Sequence, residues 1–258
     1  MRIVSLCPSL TELVFDLGLE GQLVGRTKFC VHPEGRVDRI EKVGGTKNPK
    51  IERIIELAPD LVLLNEEENR VDDAEALAAA GVRCHTSMPV SVADTAEMVR
   101  SIGRAVGRPE AAESIAADID RRAARVRAAA EGRPAATYVY LIWREPIMTV
   151  NDDTFVAALL GLAGGVNVFG DAEERYPTIT AEELVAAEPT GVLLSTEPFP
   201  FDEKYRDELA EATGLPAERF RIVDGELLSW HGSRTPAGID YAERVVEGLR
   251  AGSTNDAW

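Results

Sequence analysis

The chain has 258 residues, of which 45% are hydrophobic and 28% are charged, and its formal net charge is -16 at pH 7. This length allows one large domain or two lobes that each bury a core. The negative charge argues against nucleic acid or an anionic membrane surface as the main partner. No stretch of sequence approaches the ~20 consecutive apolar residues that a membrane-spanning helix needs.

The first part of the chain alternates short strands with short helices. Apolar runs between glycine, proline or polar residues predict the strands, and helical spacing of apolar residues predicts the helices. In chain order we predict a strand at 3–6, a helix at 11–17, strands at 23–25 and 61–64 with a helix at 51–57 between them, a helix at 74–80 and a strand at 82–85. Ser9 is an alternative N-cap of the first helix, with Glu12 as its capping-box partner.

A different pattern separates the two halves of the chain. From Pro109 to about Ala130, apolar residues recur at helical spacing with few helix breakers, and residues 132–134 end the pattern. A helix of this length spans ~33 Å, roughly the width of a small domain. We expect it to act as a stiff strut, so that large opening motions are not expected.

The second half repeats the plan of the first. We predict strands at 136–142 and 147–150, a helix at 154–162, strands at 192–194 and 220–223, a final helix at 236–249 and a frayed tail to Trp258. Residues 52–67 return as residues 182–197, each copy being a short helix, a proline stop, a buried strand and a polar loop with a carboxylate. Two such copies predict two similar α/β lobes whose loops form a cleft.

Three segments of the chain, at 2–12, 52–64 and 162–169, resemble one family in the same order. This family is the helical-backbone (class III) periplasmic substrate-binding proteins of ABC importers, in the branch for cobalamin and iron chelates (siderophores, haem). The resemblance covers nearly the whole chain. It implies two Rossmann-like α/β lobes with parallel-rich sheets, one long backbone helix that joins them, and a ligand in the cleft between them. The expected boundaries are 1–106 for the N-terminal lobe, 107–134 for the helix and 135–258 for the C-terminal lobe.

Ligands of open α/β sheets gather beyond the carboxyl ends of the strands. The residues there that suit stacking on a planar ligand or pairing with its charged groups are Lys28, His32, Lys47, Glu66, Glu67, Trp143, Arg144, Tyr176, Glu197, Trp230 and Arg234. The alternative roles are structural. The two tryptophans would fill the gap between the lobes, and Arg144 and Arg234 would pair with Glu145 or Asp240.

A metal site is a second possibility. Cys30, His32, His85 and His231 carry thiolate and imidazole groups that suit zinc or iron, although Cys30 and His32 have no second close pair beside them. Ordinary hydrogen-bonded histidines are the alternative. Three cysteines do not form a disulfide framework and are typical of a reducing compartment. Because no signal peptide precedes the first strand, we expect a cytoplasmic protein, or a periplasmic one if a leader was removed.

These observations favour a non-enzymatic solute-binding protein that takes cobalamin or an iron chelate in the cleft and docks an ABC permease through acidic lobe surfaces. We assign no catalytic residue, because the sequence has neither a nucleophile elbow nor a phosphate-binding loop. No intrinsic cofactor is expected. Two alternatives stay open. One is a cytoplasmic enzyme that acts on a corrinoid or chelate with Cys30 and His32, and the other is a carrier of bare zinc, iron or manganese ions.

Overall fold

The computed structural model describes residues 1–252, and the chain divides into two compact units. Unit 1 holds residues 1–89, 93–118 and 231–234, and unit 2 holds residues 90–92, 119–230 and the chain from Thr235 onward. The predicted frayed tail to Trp258 lies outside the described residues. No helix in residues 1–252 is both long enough and apolar enough to cross a membrane.

Unit 1 contains a parallel sheet with the strand order β2-β1-β3-β4. Its strands are β1 (Ile3–Ser5), β2 (Leu23–Arg26), β3 (Leu61–Asn65) and β4 (Cys84–Ser87). The helices of this part of the chain are α1 (Pro8–Asp16), α2 (Ile51–Glu56), α3 (Val71–Ala79), α4 (Val92–Ala105) and α5 (Pro109–Ala130), with short 3-10 turns at Glu20–Gln22 and Val37–Arg39.

Unit 2 contains a second parallel sheet with the order β6-β5-β7-β8. Its strands are β5 (Ala136–Leu141), β6 (Gly165–Asn167), β7 (Gly191–Ser195) and β8 (Phe220–Val223). The helices are α6 (Phe155–Leu162), α7 (Ala181–Ala186), α8 (Glu203–Thr213), α9 (Gly225–Ser229) and α10 (Thr235–Ala251), with a 3-10 turn at Ala217–Arg219.

The two sheets share one topology, in which the first strand along the chain lies between the second and the third. In each sheet all five residues of the third strand, β3 or β7, are buried. This is the expected pattern for a parallel strand covered on both faces. The predicted fold class, with two parallel α/β sheets built by an internal duplication, is confirmed.

The long helix predicted from residue 109 to about 130 is α5, a helix of 22 residues. The two units divide within it, between Asp118 and Ile119. The expected boundaries, with residues 107–134 as a separate connecting element, stay a prediction, as does the cleft.

Two local predictions are wrong. Helix α1 begins at Pro8 with Cys7 as an N-cap that makes no side-chain hydrogen bond, so Ser9 lies inside the helix. The side chains of Ser9 and Glu12 bond to the distant His231 and Arg234 instead of to the first turn. Residues 147–150 form no regular strand, and there Met148 makes only isolated bridges.

The two duplicated segments also share a backbone position with a strained, left-handed conformation. Ala58 and Glu188 are not glycines, yet they have φ values of 45° and 44°. Each lies between the duplicated helix and the proline before the duplicated strand. The left-handed region costs a residue with a Cβ about 1–2 kcal/mol. Both halves therefore store strain at the same turn.

We expect Ala58→Gly and Glu188→Gly to stabilise the protein by about 0.5–1 kcal/mol each. Relief of the left-handed strain (about 1–2 kcal/mol) exceeds the added entropy of the unfolded chain (about 0.4–1 kcal/mol). Urea unfolding measures the change, with Ala117→Gly, on the exposed face of α5, as the control that loses about 1 kcal/mol. An equal decrease in the free energy of unfolding in all three variants would contradict the expectation.

Candidate functional site

A buried polar cluster in unit 1 joins the start of α1 to the segment after α9. The thiol of Cys7 lies 3.3 Å from the hydroxyl of Ser9, which lies 3.5 Å from Nε2 of His231. All three residues are buried. Burial raises the pKa of Cys7 to about 12, so its sulfur stays a neutral thiol rather than a nucleophilic or metal-binding thiolate.

The side chain of Asn65, the last residue of β3, determines the tautomer of His231. Its Oδ1 accepts the backbone N–H groups of Glu67 and Glu68 at 3.0 and 3.1 Å, which identifies the other amide atom as Nδ2. That Nδ2 donates to the Ser87 carbonyl and lies 3.4 Å from Nε2 of His231. Because Nδ2 can only donate, this contact favours Nε2 as the acceptor, which in a neutral ring leaves the proton on Nδ1.

The acidic loop after β3 is held in place by the loop at 44–49. Nζ of Lys47 donates to the Glu67 carbonyl at 2.6 Å. The Asn69 amide donates to the carbonyls of Leu6 and Thr46 at 3.0 Å. Burial raises the pKa of Glu68, while nearby Lys47 acts in the opposite direction. This loop therefore presents its carboxylates from a fixed backbone.

The loop after β2 is built around a buried guanidinium. Arg26 is 1% exposed, and its guanidinium donates to the carbonyls of Thr27, Cys30 and Val37 at 2.9–3.3 Å. The buried sulfur of Cys30 also lies 3.0 Å from the hydroxyl of Thr11.

With Cys30 held inward, its neighbours Phe29 and Val31 are 50% and 49% exposed. The ammonium group of Lys28 lies 4.8 Å from the centroid of the Phe29 ring. The sequence analysis missed Phe29 and Val31. Their position on either side of a buried cysteine, in a loop that follows a strand, was the available signal.

Arg234 is held by an ion pair within unit 1. Its Nε and one terminal nitrogen donate to the two carboxylate oxygens of Glu12, each at 2.8 Å, and both side chains are mostly buried. The alternative pairing of Arg234 with Asp240 is wrong, because Asp240 pairs with Arg122 and Arg125.

In unit 2, the loop after β5 presents Trp143, whose side chain is 41% exposed. Its ring packs edge-on against Phe199, with the centroids 5.6 Å apart. Phe199 in turn contacts Phe201 at 4.7 Å and Tyr205 at 5.0 Å. Phe201 is buried in the unit 2 core. The exposed indole therefore stands on a packed aromatic cluster, made of Phe199, Phe201 and Tyr205, that restricts its motion.

Arg144 belongs to the same region. Its guanidinium carbon lies 4.8 Å from the centroid of Tyr205, and its nitrogens pair with Glu208 at 2.6 Å and with Glu145 at 3.3 Å. The predicted alternative, an ion pair with Glu145, is therefore present.

Glu197 and Trp230 meet at the end of β7. The indole N–H of Trp230 donates to the Glu197 carboxylate at 2.8 Å, and Trp230 is only 8% exposed. Beside them opens a pocket of about 390 Å³, lined by Thr196, Glu197, Ile222, Val223, Asp224 and Glu226. Trp230 thus serves to position Glu197 at the pocket, while Trp143 exposes its ring.

The other predicted ligand residues lie in loops. Glu66 is exposed, while His32 and Tyr176 are partly buried. Of the eleven predicted residues, the structure joins Lys47 with Glu67 and Glu197 with Trp230 by hydrogen bonds. Their roles in ligand binding stay predictions.

The four predicted metal ligands do not come together as a cluster. Within residues 1–252, no three histidine, cysteine, aspartate or glutamate residues are grouped so that they could hold a metal ion. His85 bonds to Ser101 at 2.9 Å, Cys30 to Thr11, and His231 faces Ser9 and Asn65.

We expect the His231 ring to carry its proton on Nδ1 rather than on Nε2. The reason is that Nε2 faces a nitrogen that can only donate, the Nδ2 of Asn65. Long-range proton–nitrogen correlation spectra of the ¹⁵N-labelled protein distinguish the two tautomers, and His231→Gln identifies the signal. A protonated Nε2 in the neutral ring would contradict the orientation of the Asn65 amide.

We expect Phe199→Ala to lower the free energy of unfolding by about 2–3 kcal/mol, since a partly buried ring leaves the aromatic cluster. It also removes the support of Trp143. In a variant whose only tryptophan is Trp143, the fluorescence anisotropy should therefore fall. Phe199→Tyr keeps the ring and is the matched control. An unchanged anisotropy in the alanine variant would show that Phe199 does not restrain the indole.

The chain is similar along its length to proteins of known ligand. It is 24% identical over 249 residues, 96% of this chain and 89% of the relative, to a vitamin B12-binding protein of Vibrio cholerae. The crystal structure of the periplasmic vitamin B12-binding protein of Vibrio cholerae superposes with a TM-score of 0.84 at 22% identity, covering 96% of this chain and 97% of that one. An apo periplasmic haem-binding protein from Roseiflexus sp. RS-1 gives a TM-score of 0.83 at 23% identity, covering 97% and 98%.

The expectation of a cytoplasmic location is wrong, because the solved relatives are periplasmic proteins. It depended on the first residues of the sequence and on cysteine usage. The number and spacing of the cysteines do not distinguish the two compartments. Cys7 and Cys30 are buried thiols with internal hydrogen-bond partners, and such thiols are compatible with either compartment.

The resemblance seen in the sequence is confirmed by a family model. The model for periplasmic binding proteins matches residues 3–214, which include all of the unit 1 sheet and three of the four strands of the unit 2 sheet. The chain therefore belongs to the periplasmic binding protein family.

Proposed function

We propose that this protein is the solute-binding component of an ABC importer and binds cobalamin or an iron chelate such as haem. The ligands of its relatives support this proposal, since they are vitamin B12 and haem. Both ligands are planar macrocycles that hold a metal ion. The single structural observation in favour is the exposed indole of Trp143, which stands on a packed aromatic cluster.

Each unit by itself has candidate loops for ligand contact, which follow its strands. In unit 1, these loops carry Phe29 and the acidic segment at 66–68. In unit 2, they carry Trp143 and the pocket beside Glu197. Aromatic faces stack on a macrocycle, and polar groups at its edge fix the orientation.

We propose a binding role without catalysis. Cys7 and Cys30 are buried, and burial raises the pKa of both thiols, which disfavours the thiolate that nucleophilic chemistry needs. Exposed carboxylates such as Glu66 would be available to a basic surface of the permease.

Isothermal titration with cyanocobalamin and with hemin tests the proposal. We expect one of them to bind in a saturable manner with one-to-one stoichiometry. Trp143→Ala should weaken that binding by about tenfold or more, because a base or macrocycle stacked on an aromatic ring gains about 1–3 kcal/mol. Val166→Ala, at an apolar residue of similar exposure on β6, is the control. Chromatography of the released ligand should recover it unchanged.

No binding of either macrocycle would refute the proposed function. Chemical conversion of the bound ligand would refute the absence of catalysis. Equal affinity of the Trp143→Ala variant would refute the role of the indole.

A further inference from the structure

Phe29 is an exposed aromatic residue on a loop whose backbone is fixed. The loop follows β2, and Phe29 is 50% exposed. The carbonyls on either side of the pair Lys28 and Phe29 belong to Thr27 and Cys30. Both accept from one terminal nitrogen of the buried Arg26, at 3.3 and 2.9 Å. The ring is therefore carried by a preorganised backbone, which lowers the entropy cost of binding a ligand to it.

The neighbouring loop at 44–49 supports the Phe29 ring from one side. The backbone N–H of Lys28 donates to the Gly44 carbonyl at 2.8 Å. A Cβ atom added to Gly45 would lie 3.4 Å from Cε2 of Phe29, so this edge of the ring lies beside the buried Gly45. Rotation of the ring toward that loop is therefore restricted.

Lys28 covers a face of the same ring. Its ammonium nitrogen lies 4.8 Å from the centroid of Phe29, and Lys28 is itself exposed. This distance is typical of a cation–π contact. Because an exposed ammonium keeps its hydration on the solvent side, the face that it covers is the face open to solvent. A planar ligand that stacks on Phe29 would meet the ammonium first.

We propose that Lys28 controls access to the Phe29 ring: its ammonium covers the open face in the free protein, and a planar ligand stacks there only by displacing it. The proposal rests on the proposed function, since it assigns a competitor to the ligand within unit 1. In the free protein, the ammonium keeps an exposed apolar ring from making adventitious apolar contacts. Displacement costs one exposed cation–π contact, and stacking of a macrocycle on the ring offsets this cost.

A double-mutant cycle on the full chain tests the proposal, with cyanocobalamin and hemin as the probes. Phe29→Leu removes the ring and should weaken binding of the macrocycle by about fivefold or more. Lys28→Gln removes the ammonium and should tighten binding by about two- to fivefold relative to its effect in the Phe29→Leu background. That factor corresponds to the loss of a cation–π contact at an exposed site. The cycle subtracts any direct attraction between Lys28 and the carboxylates of hemin, because this attraction is common to both backgrounds.

Proton spectra of the free protein give a readout that does not depend on any ligand. The ε-methylene protons of Lys28 lie over the ring, so they should resonate upfield of those of the other lysines. This shift should vanish in Phe29→Leu. Lys42→Gln is the control for the change in net charge, since Lys42 is also an exposed lysine of unit 1. It should leave the affinity for either macrocycle nearly unchanged.

An unshifted Lys28 signal, or a Lys28→Gln gain that is as large in the Phe29→Leu background, would overturn the proposal. An affinity that Phe29→Leu leaves unchanged would also overturn it, because the ring would then lie outside the binding site, while the proposed function would stand. The same gain in Lys42→Gln would show a general effect of net charge and overturn the role of Lys28. If neither macrocycle binds, the proposed function fails, and the control of ligand access by Lys28 fails with it.

Discussion

Burial of the two central strands is the constraint on which the rest of the structure depends. All five residues of β3 and of β7 are buried, and each strand pairs with a parallel neighbour on both sides. The last residue of each strand is polar and organises the loop that follows. Asn65 accepts the N–H of Glu67, and the hydroxyl of Ser195 accepts the N–H of Glu197. In both units, the acidic residue two positions beyond the strand is therefore placed by the side chain of the strand's last residue.

Much of the fold could be predicted because its causes are local. The duplicated helix, proline and apolar run indicated β3 and β7, and helical spacing predicted the extent of α5. The errors arose where distant contacts override local preferences. Ser9 was predicted to cap α1, but its hydroxyl faces His231, which is 222 residues away in sequence. No local pattern contains such a contact.

In the candidate site too, features with local causes could be predicted, and features that depend on distant contacts could not. Sequence indicated which residues follow strands, since that depends on local order, and it drew attention to Trp143 and Glu197. It could not tell that Trp143 is exposed while Trp230 is buried, because exposure depends on how the loops pack. Nor could it tell that Arg234 is committed to Glu12, a residue from the first helix. The compartment was misjudged because the sequence of a fold carries little information about where the protein resides.

The buried guanidinium of Arg26 limits which changes the loop after β2 can accommodate. Its nitrogens bond to carbonyls on both sides of the loop after β2, at Thr27, Cys30 and Val37. An insertion or deletion between these carbonyls would move acceptors away from a buried guanidinium, whose carboxylate partner Asp38 lies 3.4 Å away and is mostly exposed. Exchange of the outward side chains at 29 and 31, by contrast, would leave these bonds intact. The outer surface of this loop can thus change its chemistry while its backbone stays in place.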